Sequence, residues 1–461
     1  MSRGRSDQPV GPSGGPDLPA GAAPQPAVVV LAHVFPNRAQ PTYGIFIRER
    51  MLRVAAHLPL TVVAPVPWFP GQGLLRLWRP GYRPVVPRHE VQQGVEVHHP
   101  RFLCVPGMLK ALDGVFLALG ALPTLRRLRR AGRLDLIDAH FIYPDGVAAW
   151  LLGRWLARPY TITLRGAIVR IARTRVRRWL AKRALLHASR VFAVAGSLRR
   201  AALELMGGAG RRDGPPVQVV ANGVNLALFR PADRQACRRR LGLPADARVL
   251  ITVGTLNERK GFHRVIEQMP ALLREEPRLR YLAVGGGSPD GDDAHRLLDQ
   301  ARRLGVAEQV VFTGAVPPEA LRLYYSAANV FVLPSRFEGW ANVFLEAAAC
   351  GLPAVATDVG GNAEVLSRPE LGTLVPLGDG EALRRALSEA LARQWDHEAI
   401  RAYARANAWQ VRIPALVEAL RAAAASAGPE GSGAGEEALS RRDAAGSARG
   451  ADRRGPRGWR S

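Results

Sequence analysis

Two glutamates eight positions apart, Glu338 and Glu346, have the spacing in this chain that most clearly suggests chemistry. Glu338 follows the apolar segment FVLPS, which predicts a strand, and Glu346 lies in the helix predicted to follow. Gly339 permits a sharp turn, and we expect Asn342 to be the N-cap of that helix, where free backbone N–H groups can bind an anion. The pattern predicts two carboxylates facing one cleft. The simpler alternative is a surface loop followed by one acid on a helical face.

A second pair of charged residues, Arg259 and Lys260, lies in the segment GTLNERKGF. Gly254 and Gly261 permit the turns that such a loop needs. Adjacent cations in a loop are usually solvated. These two follow a predicted strand and precede a predicted helix, which is where α/β proteins commonly hold phosphate groups, so we expect them to bind an anion.

The elements that would position these residues are two series of apolar, β-branched segments separated by segments of helical periodicity. The first series runs from AVVVLAHVF to VQVVA, and the second runs from RVLITVG to LGTLVPL. We predict two Rossmann-like α/β domains, residues 27–221 and 222–395, facing across a cleft. Because ligands bind beyond the carboxyl ends of parallel strands, the site should lie in that cleft.

Composition narrows the class of protein. The length of 461 residues suits two domains, and three cysteines without a C-x-x-C pair make a disulfide framework or zinc site an unfavourable interpretation. Residues 1–26 and 428–461 have the composition of a disordered leader and tail, and the leader lacks the apolar core of a signal peptide. No segment approaches the length of a membrane-spanning helix. We therefore expect a cytoplasmic protein.

The formal charge of +25 is unevenly placed, because residues 146–203 contain thirteen Arg and Lys and no Asp or Glu. Within this stretch, AIVRIARTRVRRWLAKRALLHA mixes apolar residues with arginines, as a helix lying on an anionic membrane would. A core-facing helix with a solvated basic face explains the pattern equally well. Nucleic-acid binding is disfavoured, because no aromatic platform or helix-turn-helix pattern accompanies the charge.

Five motifs in order along the chain, GTLNERKGF, AVGGG, FTGAV, the segment LPSRFEGWANVFLEAAACGLPAVATD and VGGNAE, closely resemble the donor half of retaining family 4 glycosyltransferases. The resemblance covers most of residues 245–395. It implies the GT-B architecture, with helices over residues 396–427 that cross back to the first, acceptor-side domain. It also implies transfer of a sugar from a nucleoside diphosphate to a hydroxyl acceptor.

The resemblance implies roles for the charged residues singled out above. Lys260 matches the phosphate-binding lysine of the family. Many members have Arg where this chain has Thr255, so we expect Arg259 to supply the second positive charge. Glu346 matches the acid that binds the ribose hydroxyls of the donor, and Glu338 matches the acid beside the transferred sugar.

Further positions follow from the same resemblance. Backbone amides of Ala341, Asn342 and Val343 are expected to contact the sugar or phosphate, and the backbone of Val316 the nucleobase. As a side chain, Val316 equally fits the core. Gly44 would let the backbone approach the acceptor or diphosphate, although an ordinary turn also explains it.

In the segment LIDAHFIYPDG, His140 matches the second His of an H-x-H motif that approaches the sugar. Asp138 replaces the first His, which leaves the substrate contacts there open. Asp145 is expected to cap the following helix.

We expect neither a metal nor an organic cofactor. Asp290, Gly291 and Asp292 imitate a D-x-D metal motif but lie in a turn-rich loop, and Asp290 occupies the third glycine place of a dinucleotide-binding motif. Two alternatives are a non-catalytic nucleotide-sugar-binding component of a biosynthetic complex and a phosphorylase, which would need a pyridoxal phosphate lysine that is not evident. The basic surface favours a lipid-linked or envelope polysaccharide precursor as acceptor, met at the inner face of the cytoplasmic membrane.

Overall fold

A computed structural model describes residues 25–78, 82–166, 174–208, 214–287 and 291–426. The predicted tail, and the predicted leader apart from its last two residues, lie outside these ranges, as do Ile168, Ile171 and Asp290. No helix within the ranges is long and apolar enough to cross a bilayer.

The first half of the described chain forms a sheet with helices on both faces. Its strands are β1 (Val28–Leu31), β2 (Leu60–Val63), β3 (Val66–Trp68), β4 (His89–Gln92), β5 (Val95–His98), β6 (Arg101–Leu103), β7 (Leu136–His140), β8 (Tyr160–Leu164), β9 (Arg190–Ala193) and β10 (Val217–Val219). Its helices are α1 (Ile45–Ala55), α2 (Gln72–Trp78), α3 (Asp113–Arg130), α4 (Val147–Leu156), α5 (Arg175–Leu186) and α6 (Gly196–Met206).

Eight of these strands form one sheet in the order β10-β9-β8-β7-β1-β2-β5-β4, parallel except for the β4–β5 hairpin, while β3 pairs with β6. The sequence of strand β1 is continuously apolar because both faces of the strand are buried. Val29 and Leu31 pack into the core beneath α3 and α4, whereas Val28 and Val30 pack into the core on the opposite face. Because successive side chains alternate between faces, a sheet covered on both sides needs apolar residues at every position.

The second half forms a six-stranded parallel sheet in the order β13-β12-β11-β14-β15-β16. Its strands are β11 (Arg248–Val253), β12 (Leu279–Val284), β13 (Val310–Phe312), β14 (Val330–Leu333), β15 (Ala354–Thr357) and β16 (Gly372–Val375). Its helices are α7 (Arg234–Arg240), α8 (Phe262–Glu275), α9 (Ala294–Arg303), α10 (Pro318–Ala327), α11 (Asn342–Ala349), α12 (Asn362–Val365) and α13 (Gly380–Ala392).

The strand order reverses between β11 and β14, so the loops after these two strands diverge and leave a crevice at their carboxyl ends. Those loops carry Arg259, Lys260 and Glu338. The sheet topology therefore brings together residues that the sequence separates by almost eighty positions.

Two terminal helices, α14 (His397–Ala406) and α15 (Trp409–Ala425), divide between the halves. Ile400 of α14 lies in the core of the second domain, whereas Ile413 of α15 lies in the core of the first. The chain crosses over at Asn407, whose carbonyl oxygen accepts the Val224 N–H at 3.1 Å. This pairing sets the crossing strands side by side and forms the connection between the two domains.

Candidate active site

The loop after β11 holds Lys260 in a defined position. Residues Glu258–Lys260 form one 3₁₀ turn, capped by the Asn257 side chain, which accepts the Lys260 N–H at 3.3 Å. Gly261 follows with a left-handed φ of 79°, and a Cβ there would lie 2.1 Å from the Pro334 carbonyl oxygen. Only glycine fits this position, because a side chain would both strain the backbone and collide with the neighbouring loop.

The structure brings the predicted cations and the first glutamate into one cluster. The Lys260 ammonium donates to Glu338 Oε1 at 2.8 Å, and Arg259 Nη1 lies 3.5 Å from the same oxygen. The side chains of Lys260 and Glu338 are 12% and 6% exposed, whereas that of Arg259 is 41% exposed. Arg259 can therefore swing toward a ligand at little cost, while Lys260 is already fixed inside the cleft.

Helix α11 begins one residue earlier than expected, at Asn342. Ala341 occupies the cap position with an extended backbone and without a side-chain hydrogen bond, so the expectation that Asn342 is the N-cap is wrong. Asn342 Oδ1 instead accepts a hydrogen bond at 3.0 Å from Nδ2 of Asn222, a residue at the junction of the two domains. The backbone N–H groups of Asn342 and Val343, in the first turn, have no acceptor within the helix. These two residues follow Glu338 by four and five positions. Gly351 follows the end of the helix with a left-handed φ of 82°.

Glu346 lies on α11, partly buried, and accepts a hydrogen bond from the Tyr325 hydroxyl at 2.9 Å. Burial raises the pKa of Glu346 to about 7, while the Tyr325 hydrogen bond and the charge of Lys260 act in the opposite direction. The charge of Glu49, on α1 of the first domain, raises the pKa further. Glu346 therefore senses both Lys260 and the opposite domain, which places it in the same cleft. Val316 packs, partly buried, against the adjoining core.

On the first domain, His140 is fully buried at the end of β7. Its Nδ1 accepts from Arg165 Nε at 3.0 Å, and its Nε2 lies 3.3 Å from Asp138 Oδ2. Burial lowers the pKa of His140 to about 4, so the imidazole is neutral at physiological pH. Asp138 in turn accepts from the Thr161 hydroxyl at 2.8 Å. The predicted His140 thus lies one layer beneath the cleft, behind Arg165.

Arg165 was missed by sequence reasoning. It follows β8, its Nη1 lies 3.4 Å from Asn222 Oδ1, and its guanidinium covers the Phe46 ring at 5.2 Å. Burial lowers the pKa of Arg165 well below its usual value, and no hydrogen-bond partner for its buried Nη2 exists among the described residues. An arginine directly after an apolar strand was the available signal, the same signal that singled out His140.

Two other expectations in the first domain are resolved by local geometry. Asp145 does not cap a helix, because its carboxylate is buried and accepts both the backbone N–H of His33 at 3.0 Å and the His33 ring at 2.7 Å. Gly44 has a left-handed φ of 80°, and a Cβ there would lie 2.5 Å from the Val34 carbonyl oxygen. The backbone contact with Val34 alone is sufficient reason for glycine at position 44.

Several contacts around the cleft join the parts of the two domains that the structure describes. Beside the Asn222–Asn342 hydrogen bond, a Cβ on Gly339 would lie 3.0 Å from Gly166 Cα, so these two backbones are in contact. The Glu364 carboxylate accepts the N–H groups of Gly196 and Ser197 at 2.5 and 2.7 Å. Glu364 therefore caps the first turn of α6 across the domain boundary.

Side chains that could bind a metal ion lie outside the candidate active site. Asp292 Oδ1 accepts the Ala294 N–H at 3.1 Å, a local contact at the start of α9. Within the described ranges, the group of side chains close enough to share an ion is His89, Glu96 and His98, on the β4–β5 hairpin rather than in the Lys260 loop. Arg133 lies 2.9 Å from Glu96 and already neutralises that carboxylate.

Comparisons with known proteins identify the family and agree with the two-domain fold. The family model described as Glycosyl transferases group 1 matches residues 233–407, and the model described as Glycosyltransferase Family 4 matches residues 85–228. The chain is 30% identical over 383 residues to a putative teichuronic acid biosynthesis glycosyltransferase of Bacillus subtilis, covering 81% of this chain and 90% of that protein.

One further similarity is to a curated relative and another is to a solved structure. Over 218 residues the chain is 34% identical to D-inositol 3-phosphate glycosyltransferase of Segniliparus rotundus, covering 46% of this chain and 48% of that protein. The crystal structure of Anabaena HepE in complex with UDP and glucose superposes with a TM-score of 0.62 at 19% identity, covering 85% of this chain and 98% of that one. At this identity the superposition shows the fold, which is that of two α/β domains.

Proposed function

The chain belongs to the family 4, group 1 glycosyltransferases of GT-B fold, and on that premise we propose that it moves a sugar from a nucleoside-diphosphate sugar to a hydroxyl acceptor with retention at the anomeric carbon. The observation that carries the proposal is the cluster of Lys260, Arg259 and Glu338 beside the first turn of α11. A similar fold that binds UDP and glucose supports the class of donor.

The proposed roles follow from how charge develops. When the glycosidic bond breaks, negative charge grows on the leaving diphosphate, and cations and N–H groups already aimed at it stabilise the transition state. When the donor binds, the Lys260 ammonium leaves Glu338 and pairs with the diphosphate, and the exposed Arg259 side chain turns toward the same group. The backbone N–H groups of Asn342 and Val343 donate the remaining hydrogen bonds to the diphosphate. These groups supply the charge that a metal supplies elsewhere, so we propose that neither a metal nor an organic cofactor is needed.

The sugar would lie between Glu338 and the first domain. Released from Lys260, the Glu338 carboxylate is free to orient a sugar hydroxyl or favour a developing positive charge. Arg165, with its unpartnered Nη2, adds a cation on the opposite wall, and His140 positions Arg165 from beneath. Contact between Gly166 and Gly339 narrows the cleft and excludes water that would hydrolyse the donor.

The acceptor we propose is a lipid-linked or envelope polysaccharide precursor, reached from the cytoplasmic side of the membrane. A relative named for teichuronic acid biosynthesis and the basic first domain support this choice. The decisive experiment is a thermal-shift screen against nucleoside diphosphates and their sugars, followed by nucleotide release with candidate acceptors. Ligands that bind only the native state raise its melting temperature, so at least one nucleoside diphosphate should do so. No shift with any of them would contradict the proposal.

Donor affinity should depend on pH through Glu346. An ionised carboxylate accepts hydrogen bonds from two ribose hydroxyls, whereas a protonated one accepts fewer. Because the pKa of Glu346 is raised to about 7, donor affinity should rise as the pH increases from 6 toward 8, by up to about tenfold per unit below the pKa. Calorimetric titration across this range measures it.

The matched control is Glu346→Gln, which cannot ionise. Its donor affinity should be weak and flat over the same pH range. A wild-type profile that is equally flat would show that Glu346 does not contact the donor in its ionised form.

Arg259→Ala should weaken donor binding about tenfold and lower turnover, because it removes one charge-assisted contact to the diphosphate. The fold should be unaffected, since the side chain is 41% exposed, its guanidinium donates only a long 3.4 Å bond to the Phe337 carbonyl, and the backbone carbonyl that accepts the Arg336 N–H is retained. Arg336→Ala serves as the control cation, being 69% exposed and paired only loosely with Glu258 at 3.9 Å. Equal kinetics for Arg259→Ala and wild type would remove Arg259 from the site.

A further inference from the structure

One face of the first domain exposes an unusual number of large apolar side chains. They belong to three separate segments, namely α2, the loop over residues 104–112 and the first two turns of α5, and we call this surface the α2–α5 face. Its exposed apolar members are Leu74, Leu75, Leu77, Trp78, Met108, Leu109, Leu112, Val176 and Trp179. Trp78 is 87% and Leu77 is 78% exposed, so neither contributes to the core of the domain.

A chain of contacts shows that the three segments are adjacent. Arg76 of α2 donates to the Arg83 carbonyl at 2.7 Å, and Arg83 donates to the Cys104 carbonyl at 2.9 Å. In the same loop the Lys110 carbonyl accepts from the Tyr143 hydroxyl at 2.5 Å, and Arg177 of α5 covers the Tyr143 ring at 5.3 Å. The three segments that carry the exposed apolar side chains are therefore neighbours on the first domain.

The charge of this face is predominantly positive, with Asp113 beside it paired to Lys110 at 3.5 Å. Residues 66–78, 82–88, 101–112 and 174–183 contain no Asp or Glu. Their cations are Arg76, Arg83, Arg88, Arg101, Lys110, Arg175, Arg177, Arg178, Lys182 and Arg183. A soluble partner with an acidic surface, or a nucleic acid, would satisfy these cations but would leave the protruding Leu and Trp side chains in water.

We propose that the α2–α5 face docks on an anionic lipid bilayer, with Leu77, Trp78, Met108 and Leu109 inserted among the acyl chains and the surrounding arginines bound to phosphate headgroups. An anionic bilayer offers both an apolar interior for the Leu, Met and Trp side chains and a negative surface for the surrounding arginines. Tryptophan is favoured at that boundary because its ring is apolar and its N–H is polar. The docking face is a property of the first domain and does not depend on catalysis.

The test uses the full chain and sedimentation with vesicles of phosphatidylcholine alone or of phosphatidylcholine mixed with phosphatidylglycerol. The wild-type protein should sediment with the anionic vesicles and be partly released by salt, which screens the headgroup contacts. Leu77→Ser with Trp78→Ser should lower the partition coefficient by roughly tenfold or more, and Met108→Ser with Leu109→Ser should do the same. Both pairs are exposed, so unchanged melting temperatures are expected.

Matched controls remove comparable groups elsewhere. Leu304→Ser with Val411→Ser removes exposed apolar side chains outside the α2–α5 face, and Arg302→Ser with Arg303→Ser removes cations from α9. Neither should alter vesicle binding, whereas Arg175→Ser with Arg178→Ser should weaken it. Equal loss in the controls, equal binding by the Leu77 and Trp78 variant, or no binding to anionic vesicles at low salt would overturn the proposal. Nucleoside-diphosphate affinity, measured on the same samples, reports separately on the proposed transferase function.

Discussion

Lys260→Ala should lower kcat/KM by about two to three orders of magnitude, the largest loss expected from one substitution in this protein. Lys260 is a largely buried cation of the cleft, and a preorganised charge aimed at the leaving group typically contributes that much to catalysis. Most of the loss should appear in kcat, because the charge on the diphosphate is greatest in the transition state. Steady-state kinetics with the donor found in the thermal-shift screen would measure it.

Loss of Lys260 also leaves Glu338 buried with only the more distant Arg259, so a fall in stability must be separated from a fall in chemistry. Removing one partner of a buried ion pair is destabilising, whereas neutralising both partners is much less so. Lys260→Met combined with Glu338→Gln should therefore recover the melting temperature lost by Lys260→Ala but remain inactive. If the double variant regains activity with stability, the ion pair is structural and the diphosphate binds elsewhere.

Glu364→Ala should reduce kcat/KM by about a hundredfold, although we expect Glu364 to contact neither substrate. Its carboxylate accepts two backbone N–H groups of α6 in the other domain, and two charge-assisted hydrogen bonds contribute together about 3 kcal/mol to the closed arrangement. The contact is linked directly to the site, because the Gly361 N–H before α12 donates to the Glu338 carbonyl at 3.1 Å. Weakening the closed form lowers the fraction of molecules in which the two walls of the cleft meet.

The loss in Glu364→Ala should be accompanied by a larger radius of gyration in small-angle scattering, since the domains separate more often. Glu370→Ala provides the control, because Glu370 lies on the same stretch of chain but pairs only with Arg368 at 4.0 Å. A compact Glu364→Ala protein with low activity would show that Glu364 acts in some other way than by holding the domains together.

Expectations that rested on neighbouring residues were confirmed by the structure. The apolar strands form two sheets that are parallel apart from the β4–β5 hairpin, and Gly261 adopts the left-handed conformation that its turn requires. Lys260, Arg259 and Glu338 converge because each follows the carboxyl end of an adjacent strand. Their catalytic roles remain predictions, which the variants above test.

Expectations that depended on distant partners were less secure. Asn342 looked like a helix cap, but its side chain is taken by Asn222. Asp145 also looked like a cap, but it is buried against His33. Arg165 and Glu364 carried no sequence signal strong enough to select them, because their partners lie in other strands or in the other domain.

The sequence by itself determined the two α/β domains, the order of their motifs and the glycines of the phosphate-side turn, because periodicity and backbone sterics act between residues close in the chain. Only the tertiary structure decided which polar side chains meet across the cleft, which histidine is covered and which carboxylate joins the domains. Those pairings depend on how two separately formed sheets approach one another, and no local pattern records that geometry.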